Sequence, residues 1–387
     1  MTPAEADRFA DSAAAYVHIP FCSAVCPYCD FAVVAGHDDM AERYVAAVCA
    51  EIEGSERWKP LDAVYFGGGT PSHVDPDLLG RVLESLDAKH GMRGQAEVSL
   101  EANPEDFTMA RAEELLKLGF NRVSFGAQSF DSAVLSSLGR RHEASQIEKS
   151  VAQARKAGFE NLSIDLIYGA PLETDSAWKE SLRGAVANGP DHVSCYALTV
   201  EPGTPLGRSV RDGAEAPDPD VQADRYVTAD EWLVAAGYHR YEVSNWARPG
   251  FECRYNLTVW AQGEYEAYGN GAHGFRNGRR FRNHRRLDAY IERVESGRSP
   301  RAGEDRVEDW DAELDRLFVG LRRSVGAATG PGTKTLLRSE GGRALLDAGV
   351  IAEENDRLVV TKPLLTDAVH RCVLSQVGPI VGGDGDA

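Results

Sequence analysis

The sequence predicts an α/β protein with a partial (β/α)6 barrel and a small C-terminal winged-helix-like α+β domain. Strand-like and helix-like segments alternate from Ala15 to Val200, and this order builds a parallel sheet with right-handed crossovers. Six such units fall short of the eight that close a barrel. Beyond about residue 300 the order changes, because helices there precede a short β-pair.

Each predicted strand is short and rich in β-branched or aromatic residues, and each following helix carries apolar residues at three- and four-residue spacing. The predicted strands are residues 16–21, 63–66, 97–101, 122–125, 162–167 and 192–198. The predicted helices are residues 41–53, 77–89, 111–118, 145–156, 175–186 and 221–236. In such barrels the chemistry lies on the loops that follow the strands, so we expect the site at their C-terminal ends.

We divide the chain into a barrel (1–240), an extension of the barrel (241–300) and a C-terminal domain (301–387). A polar, glycine-containing stretch at 297–305 marks the expected linker. Helices at 309–323 and 343–348 then precede a strand at 358–361 and a last helix. Winged-helix-like domains usually contact nucleic acid or protein, and we interpret this one as a scaffold or docking piece.

The chain has 387 residues and a formal net charge of −18 at pH 7. This charge argues against a nucleic-acid surface, which needs a basic field. No apolar run approaches the roughly 18 residues of a membrane span. The first fifteen residues lack the basic start and the apolar core of a signal peptide. We therefore expect a cytoplasmic protein without a transmembrane segment, in a compartment where thiols stay reduced.

Three cysteines follow the first predicted strand at C-x3-C-x2-C spacing, namely Cys22, Cys26 and Cys29. Three thiolates on one short loop can hold one side of a four-iron cluster and leave the fourth iron open to a small chelating molecule. A structural zinc site usually takes four protein ligands, and no partner pair stands among the other four cysteines. The odd count of seven cysteines argues against disulfides. We therefore predict an iron–sulfur cluster.

Unusual residues follow the later strands. The second strand ends in three glycines and Thr70, and glycines let the backbone approach a ligand closely. Glu101 ends the third strand, and Gln128 and Arg140 follow the fourth with an amide and a guanidinium for polar ligand groups. Asp165 stands inside an apolar strand. A buried lone carboxylate is costly, so Asp165 needs a ribose hydroxyl, a cation or a structural hydrogen bond as its partner.

The stretch from Tyr16 to Phe31 resembles the radical S-adenosylmethionine (SAM) superfamily. The resemblance implies a [4Fe–4S] cluster on the three cysteines, whose open iron binds the amino and carboxylate groups of SAM. It also implies that Tyr28 lies beside the adenine. The residues that it assigns to SAM, or to a second ligand in the same pocket, are Tyr16, Tyr28, Gly68, Gly69, Thr70, Glu101, Gln128, Arg140 and Asp165.

Within the superfamily, the chain resembles the oxygen-independent coproporphyrinogen oxidase group, and most of all its heme-chaperone branch. The matching stretches are residues 67–72, 124–130, 164–171, 194–206, 241–246 and 269–274. The oxidase branch carries a fourth cysteine two positions after the third, where this chain has Phe31. It also has a longer N-terminal arm than the fifteen residues that precede Tyr16. Both differences favour the chaperone branch.

The resemblance implies heme as a ligand, and the aromatic residues between 245 and 268 suit a flat macrocycle. The chaperone pattern usually has His-Asn-x-x-Tyr-Trp, whereas residues 255–260 here are Tyr-Asn-Leu-Thr-Val-Trp. Tyr255 and Val259 therefore replace the histidine and the later tyrosine of the pattern. Tyrosinate and thiolate can also ligate heme iron, so Cys253, Tyr255 and His273 are the candidate axial ligands.

These features give a first hypothesis: a heme chaperone that holds heme and passes it to an acceptor, such as a membrane respiratory protein. The cluster and SAM would regulate holding or release. The alternative is an oxygen-independent coproporphyrinogen III oxidase, in which a SAM-derived radical takes hydrogen from a porphyrinogen propionate before decarboxylation. A third possibility is a radical SAM enzyme with an unrelated substrate. The sequence favours heme transfer over catalysis, and it leaves open whether SAM is cleaved.

Overall fold

The computed structural model describes residues 1–307 and 309–377. Within them, strands and helices alternate through the first 200 residues, as expected. The strands are β1 (Ala14–Ile19), β2 (Phe21–Cys22), β3 (Val34–Ala35), β4 (Leu61–Gly68), β5 (Met92–Ala102), β6 (Arg122–Gln128), β7 (Asn161–Tyr168), β8 (His192–Ala197), β9 (His239–Glu242), β10 (Asn245–Ala247), β11 (Tyr265–Tyr268), β12 (His273–Arg276), β13 (Arg279–Asn283), β14 (Arg301–Arg306), β15 (Ala327–Ala328), β16 (Ile351–Glu354) and β17 (Arg357–Val360).

Most helices pack on the outside of the barrel or form the C-terminal domain. They are α1 (Pro3–Asp7), α2 (Ala41–Gly54), α3 (Pro76–His90), α4 (Met109–Lys117), α5 (Ser132–Ser137), α6 (Ala144–Ala157), α7 (Asp175–Ala187), α8 (Pro205–Arg211), α9 (Pro219–Ala235), α10 (Arg254–Trp260), α11 (Leu287–Glu295), α12 (Asp309–Arg322), α13 (Pro331–Arg338), α14 (Glu340–Asp347) and α15 (Thr366–Gln376). Among the described residues, no helix has the length and apolar character needed to cross a membrane.

One large sheet organises the molecule. In the part of the chain that the structure describes it has twelve strands, in the order β14-β13-β12-β11-β1-β4-β5-β6-β7-β8-β10-β9. The six predicted strands (β1 and β4 to β8) are all present and run parallel to one another. The α/β barrel prediction is therefore confirmed. Because the strands are parallel, their C-terminal ends meet at one edge of the sheet, and the site lies there.

The helices form where capping residues and apolar spacing agree. In α3, the Asp75 side chain accepts a hydrogen bond from the Asp77 amide at the start of the helix. Leu79, Val82 and Leu86 are buried on one face against the sheet. Gly91 ends the helix with a φ of +85°, a conformation that glycine adopts without steric cost. This local consistency explains why the barrel helices were predictable.

The sheet extends beyond the predicted strands on both sides. β11 adds a seventh parallel strand beside β1, and β12 to β14 continue from it as an antiparallel meander. β9 and β10 lie on the opposite side, next to β8. The predicted linker at 297–305 is wrong from Arg301 onward, because β14 there pairs with β13. The boundaries of the three predicted domains stay a prediction.

The C-terminal residues form a small unit with a core of its own. Helices α12 to α15 pack around the three-stranded sheet β15-β17-β16. Their core includes Leu317, Leu321, Leu336, Leu358 and Val373, all of them buried. A small helical domain with a short sheet is therefore present, as predicted. Residues 378–387 of the predicted domain lie outside the described residues.

Candidate cofactor site

The three cysteines lie on a loop that leaves the C-terminal end of β1. The short strands β2 and β3 pair in parallel and close the base of this loop, with Phe21 opposite Val34. A turn inside the loop brings the amide of Cys29 within 3.1 Å of the carbonyl oxygen of Cys26. Cys22, Cys26 and Cys29 are free and half-buried, and all three line one cavity of about 530 Å³, here called the cysteine cavity.

The donor set of this loop suits a group that prefers sulfur ligands. Burial raises the pKa of the Cys22 thiol to about 11 and also raises the pKa of Cys29. A bound metal group would have to displace these protons, as thiolate ligation of iron requires. Within the described residues, no three His, Cys, Asp or Glu side chains converge on a point that would hold a single metal ion. The assignment of the three cysteines to a cluster stays a prediction.

The glycine segment after β4 packs directly on the cysteine loop. A Cβ atom on Gly69 would lie 2.7 Å from the carbonyl carbon of Pro20, and one on Gly68 would lie 2.4 Å from the His18 ring. Gly68 also has a φ of +115°. The next residue, Thr70, points its hydroxyl at Cys22, with Oγ1 3.5 Å from Sγ. Small residues are therefore required here for contact between the two loops, and all three line the cysteine cavity.

Glu101 lies near the C-terminal end of β5 and lines the cysteine cavity. Its carboxylate accepts hydrogen bonds from the Tyr65 hydroxyl (2.9 Å) and from the Gly68 amide (3.0 Å). Burial raises the pKa of Glu101 to about 7, although both hydrogen bonds lower it. The glycine segment and the carboxylate therefore hold one another in position, and the carboxylate faces the cavity.

Arg140 connects the cysteine loop with two strand ends. Its Nη1 donates to Cys26 Sγ (3.7 Å), and its Nη2 donates to the carbonyl oxygen of Gly126 (3.0 Å) and to the side chain of Asn103. The Asn103 amide nitrogen donates in turn to Thr70 Oγ1 (3.1 Å). The sequence analysis did not select Asn103, although it stands two residues after Glu101. This chain of polar contacts joins both sides of the cavity.

Asp165 has the structural partners that its burial demands. It accepts hydrogen bonds from Ser194 (2.6 Å), Ser124 (2.8 Å) and Ser163 (3.2 Å). Burial nevertheless raises the pKa of Asp165 above its ordinary value. The expected partner therefore exists as hydrogen bonds within the protein, and a contact with a ribose stays a prediction. Asp165 also lines the cysteine cavity.

Gln128 occupies a strained position at the end of β6. Its φ is +64°, and the register between β6 and β7 shifts between Gly126 and Gln128. A bulge of this kind turns a side chain away from its regular direction and is frequent beside active sites. Gln128 and Tyr28 both line the cysteine cavity, as the predicted contacts with SAM require.

Tyr16 is the one predicted SAM contact that does not line the cysteine cavity. Its ring instead lines a second cavity of about 560 Å³, here called the tyrosine cavity. Tyr255 and Tyr265 line it as well, and so does His273, one of the three candidate heme ligands. Cys253, another candidate, is fully buried and lines the cysteine cavity. A role of Tyr16 in SAM binding stays a prediction.

Two residues line both cavities. Asp30 and Phe31 directly follow Cys29, and 68% of the Phe31 surface is exposed. The cysteine loop therefore forms the wall between the two cavities.

The sequence analysis missed two buried basic residues that line the cysteine cavity. Arg122 opens β6 and donates to Ser99 Oγ (2.9 Å), and its Nε lacks a partner among the described residues. His192 opens β8, where its two ring nitrogens lie 2.9 Å from Ser163 Oγ and from the Tyr241 hydroxyl. Their position at strand starts, far from the expected site, gave no signal in the sequence.

A partial parallel barrel whose first strand leads into a three-cysteine loop defines the class of radical SAM proteins. The family model of the radical SAM superfamily matches residues 16–184. The structure is also similar to that of coproporphyrinogen III oxidase (HemN) from Escherichia coli, described as a radical SAM enzyme. The TM-score is 0.80 at 21% sequence identity, over 95% of this chain and 92% of that one. The superfamily implies SAM and a [4Fe–4S] cluster as cofactors.

The comparison with characterised sequences identifies one family within the radical SAM class. The chain is 39% identical to the heme chaperone HemW of Synechocystis sp. over 81% of this chain and 78% of that protein. It is also 39% identical to the heme chaperone HemW of Mycobacterium tuberculosis, over 93% of this chain and 94% of that protein. The chain therefore belongs to the HemW family within the radical SAM superfamily.

Proposed function

We propose that this protein is a heme chaperone that holds heme and passes it to an acceptor protein. The observation that carries the proposal is its membership in the HemW family, with relatives that match over 81% and 93% of the chain. Phe31 in place of a fourth cysteine supports the same function. A respiratory membrane protein as the acceptor and a location in the cytoplasm are parts of this proposal.

Cys22, Cys26 and Cys29 would hold the [4Fe–4S] cluster. When bound, the cluster supplies an open iron for SAM and an electron for its reduction. The protein contributes the position of the loop, which β2 and β3 close, and the Thr70 and Arg140 side chains beside two of the sulfur atoms. Hydrogen bonds to thiolate sulfur stabilise its charge and tune the potential of such clusters.

The side chains around the cysteine cavity would bind SAM. Gly68, Gly69 and Thr70 offer backbone close to the cluster loop, and Glu101 offers a carboxylate to an amino group. Gln128 and Asp165 offer polar groups on the far side of the same cavity, and Tyr28 offers an aromatic ring for the adenine. The protein would thereby fix the orientation of SAM and exclude water from it.

One anaerobic experiment separates the chaperone from the oxidase. Reconstituted protein is titrated with heme while the Soret absorption band is recorded, and a parallel sample with SAM and a reductant receives coproporphyrinogen III. We expect a saturable Soret shift and no decarboxylated product. Product formation would replace the proposal by the oxidase alternative, and the absence of a Soret shift would remove heme binding.

The cluster assignment is tested on the same preparation. The variant Cys26→Ala should lose the cluster absorbance and most of the iron, because two thiolates and an alanine cannot hold the cubane. Cys49→Ala is the matched control, since Cys49 is also half-buried but lies on α2, outside both cavities. Full iron content in Cys26→Ala would show that the site is assigned to the wrong residues.

A further inference from the structure

We infer that the tyrosine cavity is the heme-binding site, with His273 as the axial ligand. Arg282 and Arg285 are the partners of the heme carboxylates. The inference rests on the proposed function and adds the binding site to it. The cysteine cavity has to hold the cluster and SAM in every version of that function. The heme therefore needs a separate space, and the tyrosine cavity lies directly on the other side of Asp30 and Phe31.

The tyrosine cavity has the size and walls that a flat macrocycle requires. Its volume of about 560 Å³ lies within the range of about 300–1,000 Å³ that is typical of sites for small ligands. Tyr255 is the centre of its aromatic wall, with ring centroids 6.0 Å from Tyr16 and 5.8 Å from Tyr265. Phe31 adds an exposed ring at the boundary with the cysteine cavity. Aromatic rings of this kind can pack on the faces of a porphyrin.

His273 is the available iron ligand in this cavity. Its ring is exposed, and within the described residues neither of its nitrogens has a hydrogen-bond partner. His18 also lines the cavity, but its Nδ1 lies 3.2 Å from the Tyr16 hydroxyl and its Nε2 lies 3.0 Å from the carbonyl oxygen of Ala32. Partial burial and the two nearby arginines lower the pKa of His273, which favours the neutral imidazole that binds iron.

The other two candidate ligands are less suited to the iron. Tyr255 is packed against three neighbouring tyrosine rings, and burial raises the pKa of its hydroxyl well above the ordinary value. Ligation by a tyrosinate would require removal of that proton. Cys253 is fully buried and faces the cysteine cavity. The proposed iron ligand, His273, therefore stands at a different sequence position from the histidine of the chaperone pattern, whose place Tyr255 takes in the wall of the same cavity.

The charges of the tyrosine cavity match a dianionic ligand. Arg282 is exposed and, within the described residues, forms no ion pair. Arg285 pairs with Asp30 at 2.9 Å, and at least half of each side chain is exposed. Two guanidiniums and one carboxylate leave a net positive charge in a chain whose net charge is −18. The two carboxylates of heme are suitable partners, because guanidinium groups bind carboxylates with paired hydrogen bonds.

The test compares variants by heme titration under anaerobic conditions. We expect His273→Ala to weaken heme binding by at least about ten-fold, equivalent to about 1.4 kcal/mol, and to change the Soret position. Added imidazole should restore the wild-type spectrum, which a structural role of His273 would not allow. Arg282→Ala should weaken binding about two- to five-fold, as for an exposed ion pair. His37→Ala is the matched control, since His37 is exposed and lines neither cavity.

The outcomes distinguish the site from the function. If wild-type protein binds no heme, the proposed function fails. If wild type and His273→Ala bind heme with equal affinity and the same spectrum, the proposed chaperone function is retained, but the assignment of the heme to His273 is wrong. Loss of heme binding in Cys26→Ala but not in His273→Ala would place the heme in the cysteine cavity.

Discussion

At the scale of single residues, Arg140 holds three parts of the cysteine cavity together. It donates to Cys26, Asn103 and Gly126 at once. A lysine keeps the charge but cannot reproduce the planar set of donors. We therefore expect Arg140→Lys to weaken SAM binding about ten-fold while the iron content stays unchanged. Anaerobic calorimetry with SAM measures the affinity, and iron analysis checks the cluster.

The neighbouring residue provides the control for this substitution. Arg141 is exposed and does not line the cysteine cavity. Arg141→Lys should therefore leave SAM affinity and iron content at their wild-type values. Equal SAM affinity in both variants would mean that Arg140 has no part in ordering the site.

Glu51 predicts a pH dependence of stability that is independent of the cofactors. It accepts hydrogen bonds from Tyr290 (2.6 Å), Asn283 (2.7 Å) and the Gly269 amide (2.9 Å). Burial raises its pKa to about 7 from an ordinary value of 4.5, although the hydrogen bonds lower it. Folding therefore favours the protonated form. The stabilisation is fully present below pH 4.5 and is lost as the pH rises through 7.

The comparison of Glu51→Gln with wild type isolates this effect, because glutamine stays neutral. Between pH 5 and pH 8, we expect wild type to lose about 2–3 kcal/mol of unfolding free energy relative to Glu51→Gln. Urea unfolding followed by tryptophan fluorescence at the two pH values measures the difference. Glu53→Gln, on the exposed side of the same helix, should show no such change. A difference that is the same at both pH values would contradict the assigned shift.

The residues of the cavity show what the sequence could predict at this scale. Asp165 could be predicted to have a partner because an unpaired carboxylate in an apolar strand is costly. Ser163 stands two residues away on the same strand, but Ser124 and Ser194 come from the neighbouring strands β6 and β8, so only the fold could identify those two. Tyr16 could not be assigned to a cavity from the sequence, because both faces of the barrel strand β1 are enclosed.

At the scale of secondary structure elements, two helical glycines predict opposite effects of the same substitution. Gly184 lies in α7, and a Cβ atom there would lie 2.5 Å from the buried ring of Phe130. Gly184→Ala should lower the unfolding free energy by about 1–2 kcal/mol, since crowding outweighs the better helix propensity. Thermal unfolding measures the effect.

Gly54 provides the matched position. It ends α2, and an added Cβ atom would meet no atom within 4 Å. Gly54→Ala should therefore leave stability unchanged or raise it by up to about 1 kcal/mol. An increase in stability in both variants would show that the contact between α7 and Phe130 tolerates an added methyl group.

The strands β12, β13 and β14 were not predicted, and they show where prediction from local sequence fails. β12 and β13 contain four arginines and one glycine, which do not resemble a buried strand. They form a hairpin around Asn277 and Gly278, whose φ values are +51° and +67°. An Asn-Gly pair is a strong hairpin signal, so this turn could have been predicted. The strand β14 could not, because its pairing with β13 stabilises a sequence of four charged residues, an alanine and a glycine.

At the scale of the whole molecule, Asp7 connects the two ends of the chain. Its carboxylate accepts hydrogen bonds from Arg357 (2.7 Å) and Arg323 (3.0 Å), and both arginines are buried. Burial alone would raise the pKa of Asp7, but the two arginines lower it below its ordinary value. Asp7→Ala should destabilise the protein by about 1–3 kcal/mol, because two buried guanidiniums lose their partner. The half-exposed position of Asp7 limits the effect.

Limited proteolysis of Asp7→Ala would show whether the C-terminal domain detaches. We expect faster cleavage near residues 323–330 than in wild type, together with a lower melting temperature. Asp11→Ala is the control, since Asp11 is exposed and its side chain forms no ion pair with the described residues. Unchanged cleavage of Asp7→Ala would mean that the apolar contacts of α12 hold the domain without Asp7. This attachment could not be predicted, because it joins residues 316 and 350 positions apart.

The wall formed by Asp30 and Phe31 has a consequence for the binding of the two ligands. A displacement of this segment by an occupant of one cavity would alter the affinity of the other cavity. Thermodynamic reciprocity then requires that each occupant change the binding of the other by the same factor. Release of heme would then depend on the concentration of SAM, because Asp30 and Phe31 contact the occupants of both cavities.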